Sequence, residues 1–213
     1  MFALSFLLAE SADESGLVAI GGDLRTERLL QAYRCGVFPW YAEGEPICWW
    51  SPDPRAIFEL DSLHISRRLE RTLRSRRYHV TINRDFGAVI RGCKEGREEG
   101  TWITPEMIDA YERLHELGHA HSVEVWEKDA LVGGLYGVAL GGLFAGESMF
   151  TRGRDGSKIA LVHVLQRLRE RGFTLFDIQM LTEHTARLGA VEIPRSQYLS
   201  RLRRALKLSP DFA

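Results

Sequence analysis

Residues 121–150 read HSVEVWEKDALVGGLYGVALGGLFAGESMF. Three runs in this stretch, rich in β-branched and aromatic residues, predict three successive strands. Gly141-Gly142 joins the second run to the third, and a two-residue glycine turn is typical of an antiparallel hairpin. The predicted strands are His121 to Trp126, Leu131 to Leu140 and Leu143 to Phe150. The stretch therefore predicts an antiparallel meander.

A helix and another strand follow this meander. Ser157 is the expected N-cap of the helix and Gly172 its stop. Its apolar positions, at helical spacing, are Leu161, Val164, Leu165 and Leu168. A strand from Thr174 to Leu181 comes next. The order of meander, helix and strand is that of the GNAT acyltransferase core, an analogy of fold that does not give a function.

The rest of the chain alternates strand and helix patterns, so we expect an α+β fold. Asp85 and Thr104-Pro105 carry the residue types that start helices. Predicted helices run from Asp85 to about Lys94, from Thr104 to Gly118 and onward from about Pro194, and predicted strands from Ala56 to Leu60 and from Tyr78 to Asn83.

Trp and Pro concentrate in the first part of the chain, in Phe38-Pro39-Trp40-Tyr41 and in Trp49 to Arg55. X-Pro steps disfavour helix, so we expect extended, ordered turns with a large aromatic surface. An aromatic mini-core and a ligand-facing aromatic platform explain this pattern equally well. The change of composition near residue 55 predicts a boundary between 1–55 and 56–213, and the order of elements in the second part predicts a mostly antiparallel sheet.

Composition argues against several classes of protein. Cys35, Cys48 and Cys93 are odd in number and lack CxxC spacing, which disfavours a disulfide framework or structural zinc and favours a reducing compartment. The apolar start, residues 1–8, is too short for a membrane span and has neither a basic beginning nor a following cleavage site. We expect a cytoplasmic protein that does not bind a membrane.

The string His115-Glu116-Leu117-Gly118-His119 matches the HExxH pattern of zinc proteases. That chemistry requires both histidines on one helical face. The apolar periodicity of the helix stops at Gly118, so His119 should lie beyond the helix. We therefore predict no metal site.

One strongly basic stretch lies in a chain whose formal net charge is only −1. Within eleven residues, six arginines oppose a single acid, Glu70. A solvated helix face is the usual meaning of such a run, but phosphate contact explains the excess of arginine better. The six are Arg67, Arg68, Arg71, Arg74, Arg76 and Arg77.

Polar groups also interrupt two apolar strands. Asp177 and Gln179 should lie on one face of the strand Thr174 to Leu181, because side chains alternate along a strand. A buried carboxylate beside an amide must be hydrogen-bonded, so this pair is either structural or functional. Glu147 is a lone acid in its strand. It is either a solvated edge residue or a negative anchor for a cationic ligand.

Eight stretches spread over nearly the whole chain resemble the leucyl/phenylalanyl-tRNA-protein transferase family. They are Gly16 to Leu24, Gly36 to Trp40, Trp49 to Arg55, Ser62 to Arg67, Glu98 to Thr104, His115 to Trp126, Gly146 to Phe150 and His184 to Ala190. The resemblance implies an aminoacyltransferase that moves Leu or Phe from aminoacyl-tRNA to proteins with N-terminal Arg or Lys, marking them for degradation by the N-end rule. It implies no cofactor: no metal, no nucleoside triphosphate and no CoA. It also implies a small N-terminal domain, at 1–55, packed on a GNAT-like domain, at 56–213. We expect a monomer.

The resemblance also implies roles for individual residues. Trp40 and Trp102 would hold the terminal adenosine of the tRNA, as aromatic rings do for single-stranded ends. Gln179 would contact the acceptor amine, and Asp177 would polarise Gln179. The pocket for the aminoacyl side chain would be lined by Phe144, Met149, Leu161, Val164 and Leu168. Glu147 and Ser148 are also predicted to bind substrate, with Glu147 as the anchor for a cationic acceptor.

Two other functions stay open at this point. A CoA-dependent N-acetyltransferase would share the GNAT order of elements, but the loop Arg152-Gly153-Arg154-Asp155-Gly156-Ser157 lacks the Q/R-x-x-G-x-G/A pattern that binds pyrophosphate. A non-catalytic RNA-binding module would bind charged and uncharged tRNA alike. Transfer of Leu or Phe from tRNA to a protein distinguishes the three functions.

Overall fold

The computed structural model describes residues 8–95 and 101–213 of the 213-residue chain. Strands in these ranges form a three-stranded and a seven-stranded sheet. The apolar start of the chain and the matched stretch Glu98 to Thr104 lie partly outside the described residues. The strands are β1 (Leu17–Ile20), β2 (Phe38–Pro39), β3 (Cys48–Trp50), β4 (Arg55–Phe58), β5 (His79–Ile82), β6 (Ala120–Glu127), β7 (Ala130–Leu140), β8 (Leu143–Thr151), β9 (Leu175–Gln179) and β10 (Val191–Ile193).

Seven α-helices and a short 3-10 helix at Ala9–Ser11 occur in the described ranges. No helix of this part of the chain is long and apolar enough to cross a membrane. The α-helices are α1 (Thr26–Arg34), α2 (Arg67–Arg74), α3 (Phe86–Lys94), α4 (Pro105–Glu116), α5 (Gly156–Arg171), α6 (Glu183–Arg187) and α7 (Arg195–Ala205).

The large sheet has the strand order β10-β4-β9-β8-β7-β6-β5. Neighbouring strands are antiparallel except for β8 and β9, which run parallel. The predicted α+β class with a mostly antiparallel sheet is confirmed, and so is the meander, which forms β6, β7 and β8. Strand β4 comes from early in the chain, yet it pairs with β9 and β10, which come from late in the chain.

Two of the predicted helix starts follow local capping rules. The side chain of Asp85 accepts a hydrogen bond from the main chain of Ala88 and starts α3. The side chain of Thr104 accepts one from Met107 and starts α4, with Pro105 as its first residue. Both predictions are confirmed because each cap bonds within its own turn.

The predicted N-cap at Ser157 is wrong. The N-cap of helix α5 lies two residues earlier, at Asp155, which has a left-handed conformation with φ of 61°, and Gly156 is the first helical residue. The main-chain N–H of Gly156 donates to Oγ1 of Thr151, at the end of β8, over 3.1 Å. A hydroxyl from the preceding strand thus does what Ser157 was expected to do.

The HELGH string does not form a zinc site. Helix α4 ends at Glu116, Gly118 has a left-handed φ of 78°, and His119 lies beyond the helix as predicted. Nδ1 of His115 donates to the carbonyl oxygen of Ala120 at 2.8 Å. Across residues 8–95 and 101–213, no group of three His, Cys, Asp or Glu side chains is arranged to hold a metal ion.

The first strands pack into the core that also covers one face of the large sheet. Trp49 of β3 is 2% exposed, and its indole N–H donates to the carbonyl oxygen of Gly21 at 2.8 Å. Tyr33 of α1 meets Tyr111 of α4, with their hydroxyl oxygens 2.5 Å apart. These contacts build an aromatic core, whereas Trp40 is 41% exposed. The domain boundary at residue 55 stays a prediction.

Candidate active site

The candidate site lies where the parallel strands β8 and β9 separate. Their register ends at the pair Ala145 and Asp177. Beyond that pair the two strands border a cavity of about 260 Å³. Its apolar lining includes Phe58, Leu135, Met149, Leu161, Phe176 and Ile178, and its polar lining includes Glu147, Ser148 and Gln179.

A β-bulge determines where Glu147 points. For one step along β7, the pairing on β8 passes from Gly146 to Ser148, so Glu147 is the extra residue. Bulges redirect a side chain and are frequent beside active sites. Here the bulge brings a carboxyl group to the wall of the cavity.

Gln179 ends strand β9, two residues before the predicted end at Leu181. Its backbone has a left-handed φ of 60°, which residues other than glycine rarely adopt. Oδ1 of Asp177 accepts a hydrogen bond from the main-chain N–H of Gln179 at 2.9 Å and supports this turn. The side-chain Nε2 of Gln179 donates to Oε1 of Glu147 at 3.2 Å.

Asp177 is completely buried and is bound in bidentate fashion by Arg55 of β4. The Nε–Oδ1 and Nη2–Oδ2 distances are 2.8 Å and 2.7 Å. The hydroxyl of Tyr198, on α7, donates to Oδ2 at 2.8 Å. The hydrogen bond between Asp177 and Gln179 comes from the main-chain N–H of Gln179, and the predicted polarisation of Gln179 by Asp177 stays a prediction.

Glu147 lies in a different environment. Burial raises the pKa of its carboxyl group to about 8. The hydroxyl of Tyr111 donates to Oε2 at 3.3 Å, and Tyr33 extends this chain of hydroxyl groups into the core. A half-buried, hydrogen-bonded carboxyl group is not a solvated edge residue. With its pKa raised to about 8, the carboxyl group of Glu147 is mainly protonated at neutral pH.

The residues predicted to bind substrate around this cavity divide into a lining group and a supporting group. The lining group consists of Glu147, Ser148, Met149 and Leu161. The supporting group, buried in the apolar cluster behind the cavity, consists of Phe144, Val164 and Leu168. Phe58 and Phe176, which sequence patterns do not single out, take lining positions.

The two tryptophans predicted to hold adenosine differ in exposure. Trp40 follows β2 and is 41% exposed, and its ring meets that of Trp50 edge to face with centroids 6.0 Å apart. The indole N–H of Trp50 donates to the carbonyl oxygen of Trp40 at 2.7 Å. Trp102 is half-buried against the core. An exposed ring held from one side suits base stacking, and the role of both residues stays a prediction.

The six predicted tRNA-binding arginines lie on α2 and in the residues that follow it, and all are exposed. Arg68, Arg71 and Arg77 border a second cavity of about 300 Å³. Arg154, from the loop before α5, contributes a further guanidinium to it. That juxtaposition joins distant segments, so the sequence alone does not predict it.

Four polar partners of the site are absent from the sequence-based prediction: Arg55, Tyr198, Tyr33 and Tyr111. Tyrosines at helical spacing look like core residues, because the ring is apolar and only the hydroxyl needs a partner. Arg55 does leave a signal. It opens the strand Arg55–Phe58, whose four residues are all buried, and a buried charge requires a countercharge.

Comparisons with known proteins show the family to which the chain belongs. The family model for leucyl/phenylalanyl-tRNA protein transferase matches residues 57–203, and the model for the N-terminal domain of the same family matches residues 22–53. The leucyl/phenylalanyl-tRNA–protein transferase of Citrobacter koseri is 56% identical over 190 residues, which cover 89% of this chain and 81% of the relative. The enzyme of the same name from Escherichia fergusonii is 57% identical over the same coverage.

Similarities to solved structures are weaker. A ribosomal-protein-alanine N-acetyltransferase from Brucella melitensis biovar Abortus 2308 is 18% identical, with a TM-score of 0.38 over 50% of this chain and 81% of that one. L-PGS from Bacillus licheniformis is 17% identical, with a TM-score of 0.42 over 75% of this chain and 54% of that one. Similarities of this size decide neither fold nor function. The family models and the relatives do decide membership, and the chain belongs to the leucyl/phenylalanyl-tRNA protein transferase family.

Proposed function

We propose that the chain moves Leu or Phe from aminoacyl-tRNA to the α-amino group of proteins that begin with Arg or Lys, which marks them for degradation by the N-end rule. The observation that carries this proposal is the hydrogen-bonded pair of Glu147 and Gln179 on one side of a largely apolar cavity. Sites for small organic groups combine an apolar wall with a few placed polar groups in this way. We assign the reaction to a single copy of the chain in the cytoplasm, where charged tRNA is used.

The apolar wall suits the side chain of the transferred amino acid. Met149, Leu161 and Phe176 line the cavity, and complete burial of a Leu or Phe side chain contributes about 1.5 to 3 kcal/mol. A polar side chain would lose its water without gaining a partner there. The cavity therefore favours Leu and Phe over polar amino acids.

The chemistry requires alignment more than activation. The ester that joins an amino acid to tRNA is already reactive, so the protein must hold the acceptor amine against its carbonyl carbon. A C–N bond forms and the C–O bond to the ribose breaks, and the proton lost by the amine balances the one gained by the ribose oxygen. Nε2 of Gln179 is engaged by Glu147, so its Oε1 is the atom that accepts a hydrogen bond from the amine.

Glu147 gives the site a preference for positive acceptors. With a pKa of about 8, ionising this carboxyl group at pH 7 costs about 1.4 kcal/mol. Attraction between unit charges at 4 Å and an effective dielectric of 20 is about 4 kcal/mol before desolvation. An acceptor that brings Arg or Lys can therefore drive ionisation of Glu147, and one with a neutral side chain cannot do so as well.

The basic cavity beside α2 binds the body of the tRNA. Arg68 and Arg71 border it, with Arg154 from the neighbouring loop. A concave site that gathers guanidinium groups binds phosphate without reading the base sequence. Such a site explains how a chain with almost no net charge binds a polyanion.

The deciding experiment is transfer of labelled Leu or Phe from charged tRNA to a protein with N-terminal Arg, with a matched protein that begins with Ser as the control. Label on the first protein alone supports the proposal. Binding of charged and uncharged tRNA without transfer would replace it with an RNA-binding role. Thermal stabilisation by acetyl-CoA, together with acetylation of the acceptor, would replace it with N-acetyl transfer.

A further inference from the structure

Arg55 is the most enclosed cation of the part of the chain that the structure describes. Its side chain is 1% exposed and that of its partner Asp177 is 0% exposed. Besides its two bonds to Asp177, the guanidinium donates from Nη1 to the carbonyl oxygen of Gly36 at 3.1 Å. Its carbon atom lies 4.8 Å from the ring centroid of Phe38 and 4.5 Å from that of Tyr198. Three segments of the chain, at residues 36–38, in β9 and in α7, therefore meet at a guanidinium group that β4 carries.

Stability does not explain why a charge pair occupies this position. Removing two charges from water is expensive, and apolar residues of similar volume often replace a buried ion pair without loss of stability. A pair with this many fixed partners instead specifies geometry. The atoms that Asp177 holds indicate which geometry is specified.

Asp177 accepts four hydrogen bonds, and three of them come from its two supporting residues. Arg55 donates two of these and Tyr198 donates one. The fourth comes from the main-chain N–H of Gln179, at 2.9 Å. Arg55 and Tyr198, which we call the clamp, thus fix the carboxylate on one side. On its other side the carboxylate binds the backbone of Gln179.

The hydrogen bond from Gln179 to Asp177 forms where the backbone of Gln179 is left-handed, with φ of 60°. A left-handed conformation costs a residue with a Cβ roughly 1 kcal/mol or more, and the bond from Asp177 offsets this cost. The turn carries the side chain of Gln179 to Glu147 instead of continuing β9. If the clamp loosens, Gln179 can return to an extended conformation and leave Glu147.

We infer that Arg55 and Tyr198 are positioning residues for the transfer reaction: they clamp Asp177, and Asp177 holds Gln179 in the turn that presents its side-chain amide to the acceptor amine. This inference rests on the proposed function. The role of Asp177 is to fix the backbone of Gln179, and the effect of Arg55 and Tyr198 on catalysis passes through Gln179.

A double-mutant cycle tests this route. Tyr198→Phe keeps the ring over Arg55 and removes only the hydroxyl that binds Asp177. With saturating aminoacyl-tRNA, we expect it to lower kcat for the acceptor about tenfold, with KM nearly unchanged, because one hydrogen bond to a charged group is removed. In a Gln179→Ala background, which is itself slower, the same substitution should have no further effect on kcat. Equal losses in both backgrounds, or full activity of Tyr198→Phe, would overturn the inference.

Two further measurements separate positioning from general damage. Hydrogen exchange of the main-chain N–H of Gln179 with solvent, followed by NMR, should become faster in Tyr198→Phe. This measurement reports on the clamp even if activity is low. Arg201→Gln is the matched control. It breaks an ion pair of 2.6 Å with Glu59 on the same helix, α7, and should leave both kcat and exchange unchanged. Faster exchange in the control as well would assign the effect to α7 as a whole and overturn the inference.

Transfer by the unaltered chain forms a separate arm of this experiment. If the unaltered chain transfers no amino acid, the proposed function fails, whatever the variants do. If it transfers but the cycle is additive, only the inference about Arg55 and Tyr198 fails.

Discussion

Asp177 and Glu147 are two carboxyl groups of one site that sit in different surroundings. Asp177 meets a guanidinium group, whereas Glu147 accepts hydrogen bonds from the hydroxyl of Tyr111 and the amide of Gln179. Different environments give chemically identical groups different tasks. In the proposed function, the first carboxylate holds the backbone of Gln179, and the second ionises when a cationic acceptor binds.

We predict that Glu147→Gln raises KM for acceptors that begin with Arg or Lys and leaves aminoacyl-tRNA binding nearly unchanged. The substitution keeps the shape of the side chain and removes its ability to ionise. KM for each acceptor and Kd for charged tRNA are the quantities to measure. Loss of tRNA affinity with acceptor preference intact would assign Glu147 to the tRNA end.

The pKa of Glu147 also predicts how folding stability depends on pH. The unfolded chain ionises this group near 4.5 and the folded chain only near 8, so the free energy of unfolding contributed by Glu147 falls as pH rises through this window. Relative to the natural chain, Glu147→Gln should gain stability between these values and gain no more above them. Urea unfolding at about pH 5, 7 and 9 measures the difference. A difference that does not vary with pH would contradict the raised pKa.

At the scale of helices and strands, what the sequence predicts correctly is local. The caps of α3 and α4 bond within their own turns, and the meander consists of neighbours in sequence. The cap of α5 fails as a prediction because its donor and acceptor, Gly156 and Thr151, belong to different elements. The contact between Arg55 and Asp177 joins residues 122 positions apart, so no periodicity in the sequence reveals it.

Helix α2 carries a prediction of its own. Replacing Arg67, Arg68 and Arg71 by Ala should reduce the slope of log affinity for tRNA against log salt by about 0.7 to 0.9 for each phosphate that the variant no longer neutralises. The control removes the same charge from exposed arginines elsewhere, Arg25, Arg91 and Arg113. The measurement is the affinity of both triple variants for tRNA across a series of salt concentrations. An equal change in the salt dependence of tRNA affinity in both triple variants would show that the arginines of α2 form only a solvated surface.

The turn after β2 also carries a prediction. Trp40→Ala should weaken binding of aminoacyl-tRNA by about 1 to 3 kcal/mol, the usual contribution of a base stacked on an aromatic ring. Trp40 is 41% exposed, so the folded chain should tolerate its removal. Binding and thermal unfolding should be measured on the same sample. A variant that unfolds, but whose folded fraction binds tRNA as tightly as the natural chain, would show that Trp40 stabilises the aromatic core and does not bind tRNA.

At the scale of the whole molecule, one ion pair joins the N-terminal strands, the large sheet and the last helix. Arg55 contacts Gly36 before β2, Asp177 in β9 and Tyr198 in α7. Family models match on both sides of this residue, at 22–53 and 57–203. Arg55 therefore lies between the two matched regions, and its partner Asp177 lies within the second.

Removing one partner of this pair should affect the entire fold. Asp177→Ala leaves a buried guanidinium without its countercharge, which costs about 3 to 5 kcal/mol of folding free energy. We expect a lower urea midpoint in addition to any decrease in transfer. A variant as stable as the natural chain would show that water reaches Arg55 and that the pair is not sealed.

The position of β4 has a consequence for synthesis on the ribosome. Ala56, Ile57 and Phe58 are at most 2% exposed in the finished fold, but β4 pairs with β9 and β10, and Arg55 precedes Asp177 by 122 residues. At about 5 to 20 residues per second, the nascent chain carries this apolar strand without those sheet partners for roughly 6 to 24 s. During that interval it is a target for chaperones and for aggregation. The clamp around Asp177 can close only after Tyr198 has left the exit tunnel, because Tyr198 donates one of the hydrogen bonds that hold the carboxylate.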